Sequence, residues 1–148
     1  MNVQPINIRP SRGSEEFPLL VDIWRSAVLA THDFLPEADR AAIESKLASD
    51  YFPAVTLTVA ELNGHPVGFS GVLEGNLEML FIDNNYRGAG IGTMLLNHAI
   101  SDLAVTKVDV NEQNTQAAEF YLRRGFQVAS RSETDEAGRP YPLLHLKL

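Results

Sequence analysis

Phe17, Leu20, Val21, Trp24 and Val28 recur at helical intervals, the period that gathers side chains on one face of a helix. Pro18 suits the first turn of that helix, and a short strand over residues 3–9 precedes it. Ala38, Ala41, Ala42 and Leu47 predict a second helix over 36–49, ended by Tyr51-Phe52-Pro53. Strands over 55–62 and 66–73 follow, joined by the tight connection Asn63-Gly64-His65, and Glu74-Gly75 leads into a strand over 76–82. These three form an antiparallel meander.

The order then changes to strand, glycine loop, helix, strand. A helix over 92–103 leads to the β-rich run Val105-Thr106-Lys107-Val108-Asp109-Val110, and a right-handed crossover makes this strand parallel to 76–82. A helix over 114–124 ends at Gly125, which suits a left-handed cap, while Arg123 and Arg124 complement the helix dipole. Strands over 126–133 and 141–148 close the chain through Asp135-Glu136-Ala137-Gly138. With no repeat or linker, the expectation is a single α/β (α+β) domain over 1–148: one mixed, mostly antiparallel sheet flanked by four helices.

Composition narrows the function. Hydrophobic residues are 45% and charged residues 21% of the 148, as in ordinary globular proteins. No apolar run reaches the roughly 18 residues of a membrane helix, and Met1-Asn2-Val3-Gln4-Pro5 lacks the regions of a signal peptide. A cytoplasmic protein without a membrane partner is expected. The lack of cysteine removes disulfides, thiolate metal sites and cysteine nucleophiles. The net charge of -7 argues against nucleic acid and suits a cationic amine. An anionic ligand would need Arg87, Arg123 or Arg124.

The segment Arg87-Gly88-Ala89-Gly90-Ile91-Gly92, followed by Thr93 at a helix start, offers such a ligand a place. Glycines let backbone approach closely, and free N–H groups at a helix N-terminus favour negative charge. This is a pyrophosphate site. A P-loop would need a lysine, yet none lies between Lys46 and Lys107. The glycine rhythm also differs from the dinucleotide fingerprint.

Arg87, Gly90 and Gly92 fill the pattern Arg/Gln-x-x-Gly-x-Gly/Ala. Downstream, Asn114, Ala117, Phe120, Tyr121, Gly125 and Phe126 follow N-x-x-A-x-x-F/L-Y-x-x-x-G-F. Both blocks, in this order, resemble the GNAT superfamily of N-acetyltransferases. Residues 30–35 and 139–144 are similar to a small bacterial branch of it. The resemblance implies that the parallel strands splay into a wedge, and that acetyl-CoA enters it like an added strand. It further implies contacts to Leu80-Phe81-Ile82 and to the loop Arg87, Gly88, Ala89, Gly90, Ile91, Gly92 and Thr93.

For the chemistry, the resemblance assigns the Leu80 N–H to the developing oxyanion and Tyr121 to protonation of the leaving thiolate. Without the motif, Tyr121 reads as a core aromatic. Asn114 and Ala117 fall on the pantetheine side, and Asn114 also suits an N-cap. Asn111 ends a strand at the wedge mouth, free to bind ligand or to tie down a turn. Glu78 is the first candidate base: on an alternating strand it shares a face with Leu80 and Ile82, although a solvated carboxylate explains it equally. His32, beside Asp33 and between the first two helices, is the second; Thr31 and Asp33 also suit a turn. His98 and His145 show no metal spacing, so no metal is expected.

The sequence thus predicts an acetyl-CoA-dependent N-acetyltransferase working by direct transfer to a primary amine, either small molecule or peptide. Trp24, Phe34 and Tyr51 fit a cation with an apolar body. Monomer and homodimer both stay open. A non-catalytic acyl-CoA-binding module is the alternative, against which Tyr121 argues; a nucleotide-binding regulator would rest on the glycine loop alone.

Overall fold

The computed structural model describes residues 5–148. Its strands are β1 (Ile6–Pro10), β2 (Thr56–Leu62), β3 (His65–Leu73), β4 (Asn76–Ile82), β5 (Lys107–Asn111), β6 (Gln127–Ser132) and β7 (Leu143–Lys147). They form one sheet in the order β1-β2-β3-β4-β5-β7-β6. The helices are α1 (Phe17–Thr31), α2 (Glu37–Lys46), α3 (Ile91–Leu103) and α4 (Thr115–Leu122). Val3 and Gln4 of the expected first strand lie outside the described residues.

Alternation along the strands sorts the core. Leu57, Val59 and Phe69 face α1, packing with Leu20, Ile23, Trp24, Leu47 and Phe52. Ala60, one step from Val59, packs with Ile91 and Leu95 of α3 on the other face, and Val67 joins it because a bulge turns it there: Ala60 pairs with Gly68 and Glu61 with Pro66, leaving Val67 as the extra residue. Around α4, Tyr121 and Ala118 join Leu96, Val108 and Phe126.

Several boundaries move. The second helix stops at Lys46, short of the expected residue 49, because the chain widens into a π-type turn over Leu47–Tyr51. That turn carries both Leu47 and Phe52 into the core. The helix expected from residue 92 starts at Ile91, with Gly90 as its cap at φ 80°. Asn114 lies outside α4 as its N-cap, accepting from the Ala117 N–H at 3.2 Å. α4 ends at Leu122, short of the expected residue 124, and Gly125 takes the expected left-handed position at φ 97°, its N–H donating to the Leu122 carbonyl.

Two features of the sheet position the site. The parallel β4–β5 pairing covers Asn76 with Lys107 and Leu77 with Val108, and beyond this the strands part. On its other side β4 carries a bulge. Gly71 pairs with Met79 but Val72 pairs with Leu77, so Glu78 is the extra residue.

Candidate active site

The split leaves backbone groups of β4 without a neighbouring strand. The Asp83 N–H donates to the Val67 carbonyl at 2.9 Å, toward β3. Amide direction alternates along a strand, so Phe81 and Met79 also face β3. Leu80 and Ile82 therefore point their N–H and C=O groups into the split, where β5 no longer pairs.

The glycine loop lies at one end of this opening. Gly88 and Gly90 both hold φ near 80° with nothing within 4 Å of a built Cβ, so their need for glycine is conformational. No side chain caps α3. The first intrahelical bond is made by the Met94 N–H to the Gly90 carbonyl, which leaves the Ile91, Gly92 and Thr93 N–H groups for a ligand. The Ile91 side chain is buried in the core, so only its backbone is on offer.

Cations flank this helix end. The Arg124 guanidinium donates to Thr93 Oγ1 at 2.6 Å and lies 3.7 Å over the Phe120 ring. Arg87 donates to Gln116 Oε1 at 2.6 Å. Arg123 turns instead to Glu119, at 3.7 Å. An uncapped N-terminus between two guanidinium groups fits a pyrophosphate.

A cavity of about 210 Å³ runs through the split, lined by Leu80, Phe81, Ile82, Arg87, Gly92, Asn114, Ala117 and Tyr121, with His32 and Thr31 from α1. Of the expected loop contacts, Gly88, Ala89, Gly90, Ile91 and Thr93 do not line it. Tyr121 is buried between Phe120 and Phe126, with ring centroids 5.2 and 5.9 Å away. Burial raises its phenol above the ordinary value near 10, which keeps the proton on the oxygen at neutral pH.

His32 reaches the cavity from the end of α1. Thr31 Oγ1 is 2.8 Å from the Ala27 carbonyl and 2.8 Å from His32 Nδ1. A carbonyl can only accept, so the single hydroxyl proton goes to Ala27. Nδ1 must then carry the hydrogen of the Thr31–His32 bond, leaving a lone pair on Nε2. Burial pulls the imidazole below its ordinary 6.5, opposed by the Asp33 charge. A neutral ring with a free Nε2 is equipped to take a proton.

Glu78 does not share a face with Leu80 and Ile82, contrary to the expectation from simple alternation. The bulge shifts the phase of β4, and Glu78 joins Met79 and Phe81 in lining a second cavity of about 350 Å³ on the α1 side. Trp24, Ile43, Leu47 and Tyr51 give this cavity apolar walls. Its polar side is acidic: oxygens of Glu78, Asp109 and Glu136 lie within 4.8 Å of one another, and Asp135 lies nearby. Burial, reinforced by the Glu136 and Asp109 charges, holds the Glu78 carboxyl above its usual 4.5.

Asn111 lines this second cavity and a smaller one shared with His32 and Phe34; it does not line the cavity of Leu80 and Tyr121. Its backbone carbonyl accepts from the Asn114 N–H at 3.0 Å, the turn-forming role. Asp109, Asp135 and Glu136 carried no signal of a site in the sequence, and Arg139 stood only within the stretch 139–144 that resembles the bacterial branch. Alternation along β5 marks only which face Asp109 takes, and the sheet alone brings it to Glu78.

Residues 53–128 match the family model described as the acetyltransferase (GNAT) domain. The chain is 50% identical over 142 residues to the peptidyl-lysine N-acetyltransferase YjaB of Salmonella typhimurium, covering 95% of this chain and 97% of that protein. It is 45% identical over 142 residues to the protein of the same name from Escherichia coli, covering 95% of each. The solution structure of apo-form YjaB from Escherichia coli superposes with a TM-score of 0.88 at 44% identity, over 97% of each chain. The protein belongs to the GNAT acetyltransferase family, and its fold is the GNAT fold.

Proposed function

We propose that this N-acetyltransferase moves the acetyl group of acetyl-CoA directly to the side-chain amine of a lysine in a polypeptide, in a ternary complex in the cytoplasm. The observation that carries this reading is the acidic cavity with apolar walls beside the split of β4 and β5. A lysine side chain has the complementary form, an apolar stem with a cationic tip. The relatives named peptidyl-lysine N-acetyltransferase support the same acceptor.

The loop N–H groups, Arg87 and Arg124 hold the pyrophosphate, and the amides of Leu80 and Ile82 pair with the pantetheine arm. Glu78, with its raised pKa, takes a proton from the lysine ammonium. The freed amine attacks the thioester carbonyl, forming the C–N bond, while the Leu80 N–H stabilises the oxyanion. His32 Nε2 takes the second amine proton. The C–S bond breaks, and Tyr121 gives its proton to the thiolate.

Incubation with acetyl-CoA and a blocked peptide containing one lysine tests this, read as thiol release and peptide mass. Acetylated peptide and stoichiometric thiol support it. Binding of CoA without release, for the peptide and for small amines alike, would instead mark a non-catalytic acyl-CoA-binding module.

A further inference from the structure

Beyond the acceptor cavity, a row of hydrogen bonds leads from Asp109 out of the active site. Asp109 on β5 and His145 on β7 are directly opposed in the sheet register. Asp109 Oδ1 is 2.6 Å from His145 Nδ1, and His145 Nε2 is 2.6 Å from the Ser132 hydroxyl on β6. Both ring nitrogens are thus engaged, so the imidazole is held at each end. Asp109 and Glu78 line the acceptor cavity and also an adjoining cavity of about 440 Å³ that contains His145. His145 does not line the acceptor cavity.

The strand geometry gives this row its meaning. Leu77 and Val108 are the last paired residues of β4 and β5, and the next residue on each strand is Glu78 or Asp109. The two carboxylates therefore stand on opposite strands at the first unpaired position of the split, with oxygens within 4.8 Å. That spacing suits one cationic nitrogen between them better than it suits two neighbouring anions left alone.

Resting on the lysine-acetyltransferase reading, we propose that His145 is a positioning residue of the reaction: its Nδ1–H fixes Asp109 across the split from Glu78, so that the acceptor ammonium is gripped between two carboxylates. His145 touches no reactant. It acts through Asp109, and Ser132 sets the ring. Without the Nδ1–H donor the Asp109 carboxylate swings toward Lys107 and Lys147, which line the same outer cavity, and the grip on the amine is lost.

Two polar substitutions separate this from a merely structural role. The amide of His145→Asn can stand in for Nδ1–H and still donate to Asp109; that of His145→Gln stands in for Nε2 and reaches Ser132 instead. With acetyl-CoA and the blocked lysine peptide, His145→Gln is expected to raise the peptide KM about tenfold, with kcat and the acetyl-CoA KM within about threefold of wild type. His145→Asn is expected to keep all three constants within about threefold of wild type. A wild-type peptide KM in His145→Gln, or equal impairment of the two variants, would overturn the proposal. Absence of turnover in the wild type breaks the acetyltransferase reading itself and is seen before either variant is made.

Discussion

Leu77 and Val108 form the last residue pair joining the two parallel strands, and everything the active site does follows from the absence of a next one. Beyond them β4 continues to Ile82 with the backbone groups of Leu80 and Ile82 facing the gap. A ligand that completes the sheet there must bury those groups. Hydrogen exchange at Leu80 and Ile82 is therefore expected to slow on addition of acetyl-CoA, while Phe81, already paired with β3, changes little. Equal rates with and without acetyl-CoA would show that the arm does not pair with β4.

Tyr121 separates packing from chemistry cleanly. The ring is enclosed by Phe120 and Phe126, and the described residues offer its hydroxyl no hydrogen-bond partner. Tyr121→Phe should leave the melting temperature within a degree or two, a small change for a domain of this size, yet lower kcat about 100-fold. Steady-state kinetics beside a thermal melt checks both. Wild-type turnover would remove Tyr121 from the reaction.

In the proposed reaction both Glu78 and His32 act as bases, so each gives kcat/KM a limb that rises with pH; burial keeps the His32 limb below the ordinary 6.5, and the Glu78 limb is the one its carboxyl sets. A base works only when deprotonated, so kcat/KM should climb with pH through the Glu78 value and then level off. Because burial and the Glu136 and Asp109 charges raise that value, the climb falls above the range of an ordinary carboxyl. Glu78→Gln should lower kcat/KM about 100-fold and remove this limb, leaving the one His32 sets. Asp109→Asn removes one of the raising charges and should move the limb to lower pH. A profile unchanged in Glu78→Gln would assign the base to another group.

What was legible in the sequence is what local chemistry decides. The β2–β3 turn, with Asn63 at φ 53° and Gly64 at φ 78°, and the Gly125 cap both follow from residues that tolerate left-handed backbone. The glycine loop and α4 motif fell where the two blocks placed them. What stayed hidden is non-local. A bulge depends on how β3 registers against β4, and no pattern within β4 announces that Glu78 turns to the α1 side. Glu78, Asp109 and Glu136 are far apart in sequence, and their meeting requires the strand split and the return of the β6–β7 loop. The insertion of β7 between β5 and β6, which brings His145 to Asp109, is equally a property of the whole sheet.

Gly90 tests the loop without disturbing the core. It holds φ near 80° and nothing lies within 4 Å of a built Cβ, so Gly90→Ala introduces backbone strain of about 1 kcal/mol and no internal clash. It is expected to raise the acetyl-CoA KM about tenfold while the peptide KM stays level, because a methyl group and a shifted loop both disturb the N–H groups offered to the pyrophosphate. Calorimetric titration with CoA measures the binding directly. Unchanged affinity would place the pyrophosphate elsewhere.

The most direct measurement is thiol release from acetyl-CoA with and without the blocked lysine peptide, followed by the mass of that peptide. Lysine-dependent release matched by one acetyl group on the side-chain amine is the result expected from the acidic cavity beside the split. Binding of CoA with no release, or release with no acetyl group on lysine, would contradict it.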